Sequence, residues 1–317
     1  MISRRLRAAI LAGVAGGLMI VGPTASGKTA LAHQVVRTVG GAVVVGIDAM
    51  TVYRGMEVGT AMPSREERSA FGYRLVAHVD PASPYSLGQY LHDLEETLAA
   101  LGRERLRPVF AGGTALWVEA VANGMSVPPS YPGLRRWLEA TISGEGEAAA
   151  GYRLLAAVDA KAAAGIDPRN RRRLVRALEV ALGSAGARSV SGGELGSDRP
   201  ARYPMLGIRI PRERLRERIR SRIAVQLRSG WIEEAARLDR EALSRTAREA
   251  IGYAEIWDYL GGGVSCEEAA ARIERRTYRL AKRQLAWLER DPRILWVENE
   301  EEGLIRAKEL LGEDAPV

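Results

Sequence analysis

The stretch Gly22-Pro23-Thr24-Ala25-Ser26-Gly27-Lys28-Thr29 constrains this chain more than any other feature. It fits the pattern G-x-x-x-x-G-K-[ST], a loop whose backbone N–H groups turn inward around a chain of phosphates. The flanks agree with it. Leu18-Met19-Ile20-Val21 is a short apolar run of the kind that forms a buried strand, and Ala30 to Val36 has the pattern of a helix. Strand, glycine loop and helix in that order put the loop at a helix N-terminus, where partial positive charge favours anions. In such a loop Lys28 reaches the outer phosphates and the Thr29 hydroxyl ligates Mg²⁺. A chain with 34 glycines can match the pattern by chance, but chance gives no reason for the flanking strand and helix. The loop implies a phosphate chain with Mg²⁺ and leaves open which molecule carries it.

At 317 residues and 46% apolar content, the chain can hold one large or two modest domains. Its net charge of +7 suits a polyanionic partner, nucleic acid included, although heavy use of arginine alone produces such an excess. The single cysteine, Cys266, excludes an internal disulfide framework and suits a reducing, cytoplasmic compartment. Arg4, Arg5 and Arg7 before the apolar run Ala8 to Val21 imitate an export signal. Cleavage after that run would cut into the phosphate loop, and the run is too short to span a membrane. Residues 1–17 therefore read as an N-terminal extension, with neither export nor membrane attachment expected.

Further strands are expected at residues 42–47, Arg74–Val79, Arg107–Ala111, Met205–Arg209 and Ile294–Val297. Residues 51–70 read as loop and polar helix. Helices are expected from an N-cap at Ser86 to about Gly102, at 115–123, and at 212–229, 231–243, 246–260 and 266–289. The alternation predicts an α/β fold, a P-loop NTPase-like parallel sheet with helices on both faces. The character changes at Val127-Pro128-Pro129 and Tyr131-Pro132-Gly133, after which residues 134–183 are helical in pattern. This predicts a small helical domain, 125–200, inserted into a catalytic domain made of 18–124 and 201–317. Within it the Gly/Ser-rich Ser184 to Pro200 reads as a loop.

Asp48 closes the second strand, at the strand ends where open α/β sheets bind ligands. There it can ligate Mg²⁺, act as a general base, or simply cap a turn. The strand at 107–111 runs into Gly112-Gly113-Thr114 with no Asp or Glu. Loops of this type that hydrolyse nucleoside triphosphates hold Mg²⁺ with such an acid, so its lack weakens that reading. Arg218 and Arg222 lie four apart beside the apolar stripe Leu215, Ile219, Ile223 and Leu227, placed to clamp a pyrophosphate opposite the loop. Arg169, Arg171, Arg172, Arg173 and Arg176 form either a solvated face or a track for phosphates. Tyr278, Lys282, Arg283 and Trp287 read as core packing with a solvated edge.

Taken together, the loop, the run Asp48 to Ala61, Asp80-Pro81, Gly112-Gly113-Thr114, the Arg173-to-Glu179 segment, Ile251-Gly252-Tyr253 and Ala281 to Leu285 resemble the tRNA dimethylallyltransferase (isopentenyltransferase) family over roughly residues 18–298. The resemblance implies that Gly22 to Thr29 hold the diphosphate of dimethylallyl diphosphate rather than ATP. Mg²⁺ on Thr29, with Arg218 and Arg222, then steadies the leaving pyrophosphate, and Thr24, Lys28 and Asp48 are the catalytic set. It implies that Asp48 takes a proton from the attacking amine of an adenosine beside the tRNA anticodon. Asp48, Ala49, Met50, Thr51, Thr114, Arg172, Arg173 and Arg176 are then the acceptor side. A monomer is expected.

The chain departs from the family pattern on that acceptor side. Asp48-Ala49-Met50-Thr51 stands where relatives carry Asp-Ser-x-Gln, and Met62 where they carry Lys. Ala115-Leu116-Trp117 and Arg169-Asn170 differ from the family pattern as well. The alternatives are therefore the same donor chemistry on a small amine acceptor, such as a free adenine nucleotide, or a small-molecule kinase using ATP.

Overall fold

The computed structural model describes residues 16–184 and 200–312. The N-terminal apolar segment and most of the Ser184–Pro200 loop lie outside these residues. Five strands, β1 (Leu18–Val21), β2 (Ala42–Ile47), β3 (Arg107–Gly112), β4 (Met205–Ile208) and β5 (Ile294–Val297), form one parallel sheet in the order β2-β3-β1-β4-β5. Helices cover both faces, as alternating strands and helices require.

The sheet sorts its residues by the two-residue strand period. Leu18, Ile20, Val44, Val109, Leu206 and Ile208 face a core closed by α1 (Lys28–Thr38) and the C-terminal helix Glu300–Leu311. Met19, Val21, Val43, Val45, Ile47 and Phe110 face the larger core on the other side. That core takes in α3 (Leu87–Glu104), α4 (Ala115–Asn123), and, after β4, α9 (Arg212–Arg228), α10 (Trp231–Arg237), α12 (Tyr253–Leu260) and α13 (Cys266–Leu288). Ser86 N-caps α3 with a full capping box to Gln89. The remaining short helices of this unit are α2 (Arg65–Ala70) and α11 (Arg245–Arg248), and the last helix is α14 (Glu300–Leu311), N-capped by Asn299.

Three expectations are corrected. Arg74–Val79 is not a strand: Leu75 and Ala77 take φ of 58° and 51°, and left-handed residues break an extended run. What remains is two isolated bridges, Val45 to Arg74 and Tyr53 to Val79. The helix expected at 231–243 ends at Arg237, and Asp239 then caps a turn through the N–H groups of Glu241 and Ala242. The helix expected at 246–260 is two, because Gly252 sits at φ 107°, which a helix cannot include.

Residues 126–184 make a second compact unit. Its helices α5 (Pro132–Thr141), α6 (Glu145–Val158), α7 (Ala160–Ala164) and α8 (Arg171–Gly183) pack on Leu138, Ile142, Leu155, Leu174, Val175 and Leu178. Its one fully buried acid, among the described residues, is Glu179. Arg135 and Arg176 pair with it at 2.7 and 2.9 Å, and the Tyr131 N–H donates to it at 2.7 Å. Burial pushes the Glu179 carboxyl upward, but Arg176, the Tyr131 amide and Arg135 outweigh it and hold the group below its ordinary range.

Candidate active site

The carboxyl ends of β1, β2 and β3 lie side by side, so the phosphate loop, Asp48 and Gly112-Gly113-Thr114 meet at one edge of the sheet. Two glycines allow the approach. A Cβ on Gly112 would strike the carbonyl of Ile47, and one on Gly113 the carbonyl of Gly22. The loop itself winds through the left-handed region at Ala25 (φ 64°) and Gly27 (φ 103°) before α1 begins at Lys28. Ala25 carries a Cβ there, a conformation that costs about 1–2 kcal/mol and is held by the surrounding loop.

Lys28 turns back over the loop, and its Nζ donates to the carbonyl of Pro23 at 3.0 Å. Burial brings its pKa down to about 8; Asp48 opposes the shift and Arg222 adds to it. Burial also lowers the pKa of the Arg222 guanidinium, again with Asp48 in opposition. The Nε of Arg222 has no hydrogen-bond acceptor among the described residues. Two cations thus act on one carboxylate beside the loop, an excess of positive charge that suits an anionic ligand. Arg218 acts differently: it donates to the carbonyl of Ser26 at 3.0 Å and so braces the loop from outside.

Asp48 divides its two oxygens. Oδ1 accepts from the N–H groups of Met50 and Thr51 at 2.9 and 3.3 Å, fixing the turn after β2. Oδ2 is approached by the Thr114 hydroxyl at 3.5 Å, and Thr114 Oγ1 accepts from the Ala49 N–H at 3.2 Å. The carboxylate is therefore both a turn cap and a group with one oxygen turned away from the backbone.

These residues open on a cleft of about 820 Å³. Thr24, Asp48, Ala49, Met50, Thr114 and Arg222 line it, so donor-side and acceptor-side residues share one chamber. Thr51 is not among the lining residues, and Thr29 stands exposed in the first turn of α1. Arg172 and Arg173 are exposed on the helical unit, whereas Arg176 is tied to Glu179 and to the carbonyls of Pro128 and Pro129 inside that unit.

Several lining residues escaped the sequence reading. Lys282, Arg283 and Trp287, expected as core and solvated edge, line the cleft along α13 with Arg276, Thr277 and Arg279. Gln284 on the same helix accepts from the Thr24 N–H at 2.9 Å. The signals were the Ala281 to Leu285 run, which belongs to the family resemblance, and the helical spacing, which places 276, 279, 283 and 287 on one face.

A glycine-rich loop, a neighbouring carboxylate and paired cations at the edge of a parallel sheet define a P-loop fold whose cleft at the loop suits a phosphorylated ligand. The comparisons narrow the class. The IPP transferase family model matches residues 51–291, more than half of the chain. The tRNA dimethylallyltransferase of Bifidobacterium animalis subsp. lactis is 38% identical over 289 residues, covering 88% of this chain and 81% of the relative. That of Geobacter metallireducens is 38% identical over 285 residues, covering 89% and 92%. The crystal structure of the full-length tRNA isopentenylpyrophosphate transferase from Bacillus halodurans superposes with a TM-score of 0.64 at 29% identity, covering 94% of this chain and 96% of that one. This chain belongs to the IPP transferase family. Among its described residues, no helix is long and apolar enough to cross a membrane.

Proposed function

We propose that this protein transfers the dimethylallyl group of dimethylallyl diphosphate to the exocyclic amine of the adenosine next to the anticodon in tRNA, releasing diphosphate. The observation that carries the reading is the meeting of Lys28, Arg222 and Asp48 at the mouth of the phosphate loop, on a chamber far larger than a diphosphate needs. The amine lone pair attacks the allylic carbon as its bond to the diphosphate oxygen breaks. The diphosphate leaves with the bonding electrons toward Lys28, Arg222 and the N–H groups of the loop. The amine proton passes to Oδ2 of Asp48. β3 ends in Ala111-Gly112 without an acid, which suits a reaction that activates no water for hydrolysis.

Mg²⁺ belongs to the same proposal. No group of three or more His, Cys, Asp or Glu side chains among the described residues is arranged to hold a metal. An ion bound chiefly by substrate phosphates and water, with the Thr29 hydroxyl as its protein ligand, would need no such group. When bound, it would neutralise charge on the diphosphate. Arg172 and Arg173 are the proposed contacts to the RNA backbone, and the protein would act as a cytoplasmic monomer.

The test is a transfer assay with labelled dimethylallyl diphosphate and Mg²⁺, on unmodified tRNA and separately on free adenine nucleotides, with products identified by mass after nuclease digestion. Label in tRNA is the expected result. Label in a free nucleotide with tRNA untouched would overturn the acceptor assignment, and Ala49 and Thr51 would then mark an altered acceptor side. Consumption of ATP in place of dimethylallyl diphosphate would overturn the donor.

A further inference from the structure

The segment Val58-Gly59-Thr60 crosses one wall of the cleft without belonging to any helix or strand. The N–H and C=O groups of Val58 and Gly59 are nonetheless bonded by side chains. Glu234, a buried carboxylate on α10, accepts from the N–H of Val58 through Oε2 and from the N–H of Gly59 through Oε1, both at 2.8 Å. The Tyr253 hydroxyl donates to the same Oε1 at 2.8 Å. From α9, the buried Gln226 donates to the carbonyls of Val58 and Gly59. The Thr60 hydroxyl donates to the carbonyl of Met56 at 2.7 Å. A Cβ on Gly59 would run into the indole of Trp231 and the hydroxyl of Tyr253, so the segment lies directly against both rings.

The consequence is a wall in which the peptide groups of Val58 and Gly59 are bonded from behind, while the indole Nε1 of Trp231 beside them has no hydrogen-bond partner among the described residues. Gly59, Thr60, Ile223 and Trp231 line the cleft together, next along α9 from the Arg222 guanidinium. Gln226 follows Arg222 by four residues, about 6 Å of helix rise. A ligand with its diphosphate at Arg222 and the loop therefore meets this wall within the length of a five-carbon chain. Unbonded peptide groups there would favour water over hydrocarbon.

We infer that Glu234 is a positioning residue for the donor: by clamping Val58-Gly59 it builds the apolar wall along which the dimethylallyl chain lies. The inference rests on dimethylallyl diphosphate being the donor. A carboxylate is required because three donors converge on its two oxygens. A glutamine in its place presents an amide NH₂ to one of those N–H or O–H groups.

The experiment compares binding of dimethylallyl diphosphate with binding of inorganic pyrophosphate in the wild type, Glu234→Gln and Tyr253→Phe. Pyrophosphate reports the loop and its cations, and the difference between the ligands reports the wall. Glu234→Gln should weaken dimethylallyl diphosphate about 10-fold and leave pyrophosphate within about 2-fold. Tyr253→Phe, which removes one of the three donors and keeps both backbone bonds, should show a smaller loss of the same kind and keeps the question open to measurement if Glu234→Gln does not fold. Equal weakening of both ligands would make the clamp a general structural element, and unchanged binding of both would remove its role. A wild type that binds the two ligands equally would overturn the donor assignment itself, and the wall with it.

Discussion

The Oε1 of Gln284 accepts a hydrogen bond from the backbone N–H of Thr24 at 2.9 Å, joining the phosphate loop to a helix 260 positions away. That helix, α13, also lines the cleft with Arg276, Arg279, Lys282 and Arg283. The phosphate loop and the basic wall of the cleft are thus joined by a side-chain-to-backbone hydrogen bond. Gln284→Leu leaves the Thr24 N–H without its partner and should weaken donor binding by about 1–3 kcal/mol. Titration calorimetry with dimethylallyl diphosphate checks it, and an unchanged affinity would show that the bond does not shape the loop.

Lys28→Met removes the cation that is bound over the loop to Pro23. Turnover should fall at least about 100-fold with the fold retained, since the charge that steadies the leaving diphosphate is gone. Single-turnover transfer together with a melting curve tests this. Near-normal turnover would contradict the role given to the loop.

The pKa of Lys28, about 8, predicts a pH dependence. Below pH 8 the ammonium is charged and attracts the diphosphate; above it the charge is lost and donor affinity should decline. In the ligand-free protein the sign for stability is opposite. The folded-state pKa lies below the ordinary 10.5, so keeping the charge buried costs stability below pH 8, and that cost is relieved between about pH 8 and 10.5. The difference between wild type and Lys28→Met, followed by donor titration and by denaturant melts from pH 7 to 10.5, isolates both effects.

Asp48→Asn keeps an oxygen for the N–H groups of Met50 and Thr51, so the turn after β2 should survive. It removes the base, and kcat should fall about 100-fold or more. Donor affinity should hold or rise, because one negative charge has left the phosphate site. Pre-steady-state transfer measured alongside donor binding separates the two, and parallel losses would argue against proton acceptance by Asp48.

Arg172 and Arg173 are exposed on α8, while their neighbour Arg176 is tied to Glu179. Reversing Arg172 and Arg173 to Glu should weaken tRNA binding and lower the slope of log K against log salt by about 1–2. Binding of tRNA across a salt series measures it. An unchanged slope would make these two side chains an ordinary solvated face.

What could be read along the chain is what local chemistry specifies. The apolar run at Leu18–Val21, the glycine spacing and the first turn of α1 lie within about a dozen residues, and a phosphate loop depends on little else. Asp48 was legible because it ends a continuous apolar strand, and the Ser86 cap because it sits three residues before Gln89. Arg74–Val79 and residues 246–260 misled because their composition suits regular structure, while packing holds Leu75, Ala77 and Gly252 in left-handed conformations that composition does not announce. The pairs Thr24 with Gln284, Asp48 with Thr114, and Gly59 with Glu234 join positions 66 to 260 residues apart. No periodicity encodes such partners; they exist because β3 enters the sheet between β1 and β2 and because α9, α10 and α13 close over its edge. The chain's pattern thus specified the chemistry of the phosphate loop, and the long-range packing specified which side chains brace that loop and wall its cleft.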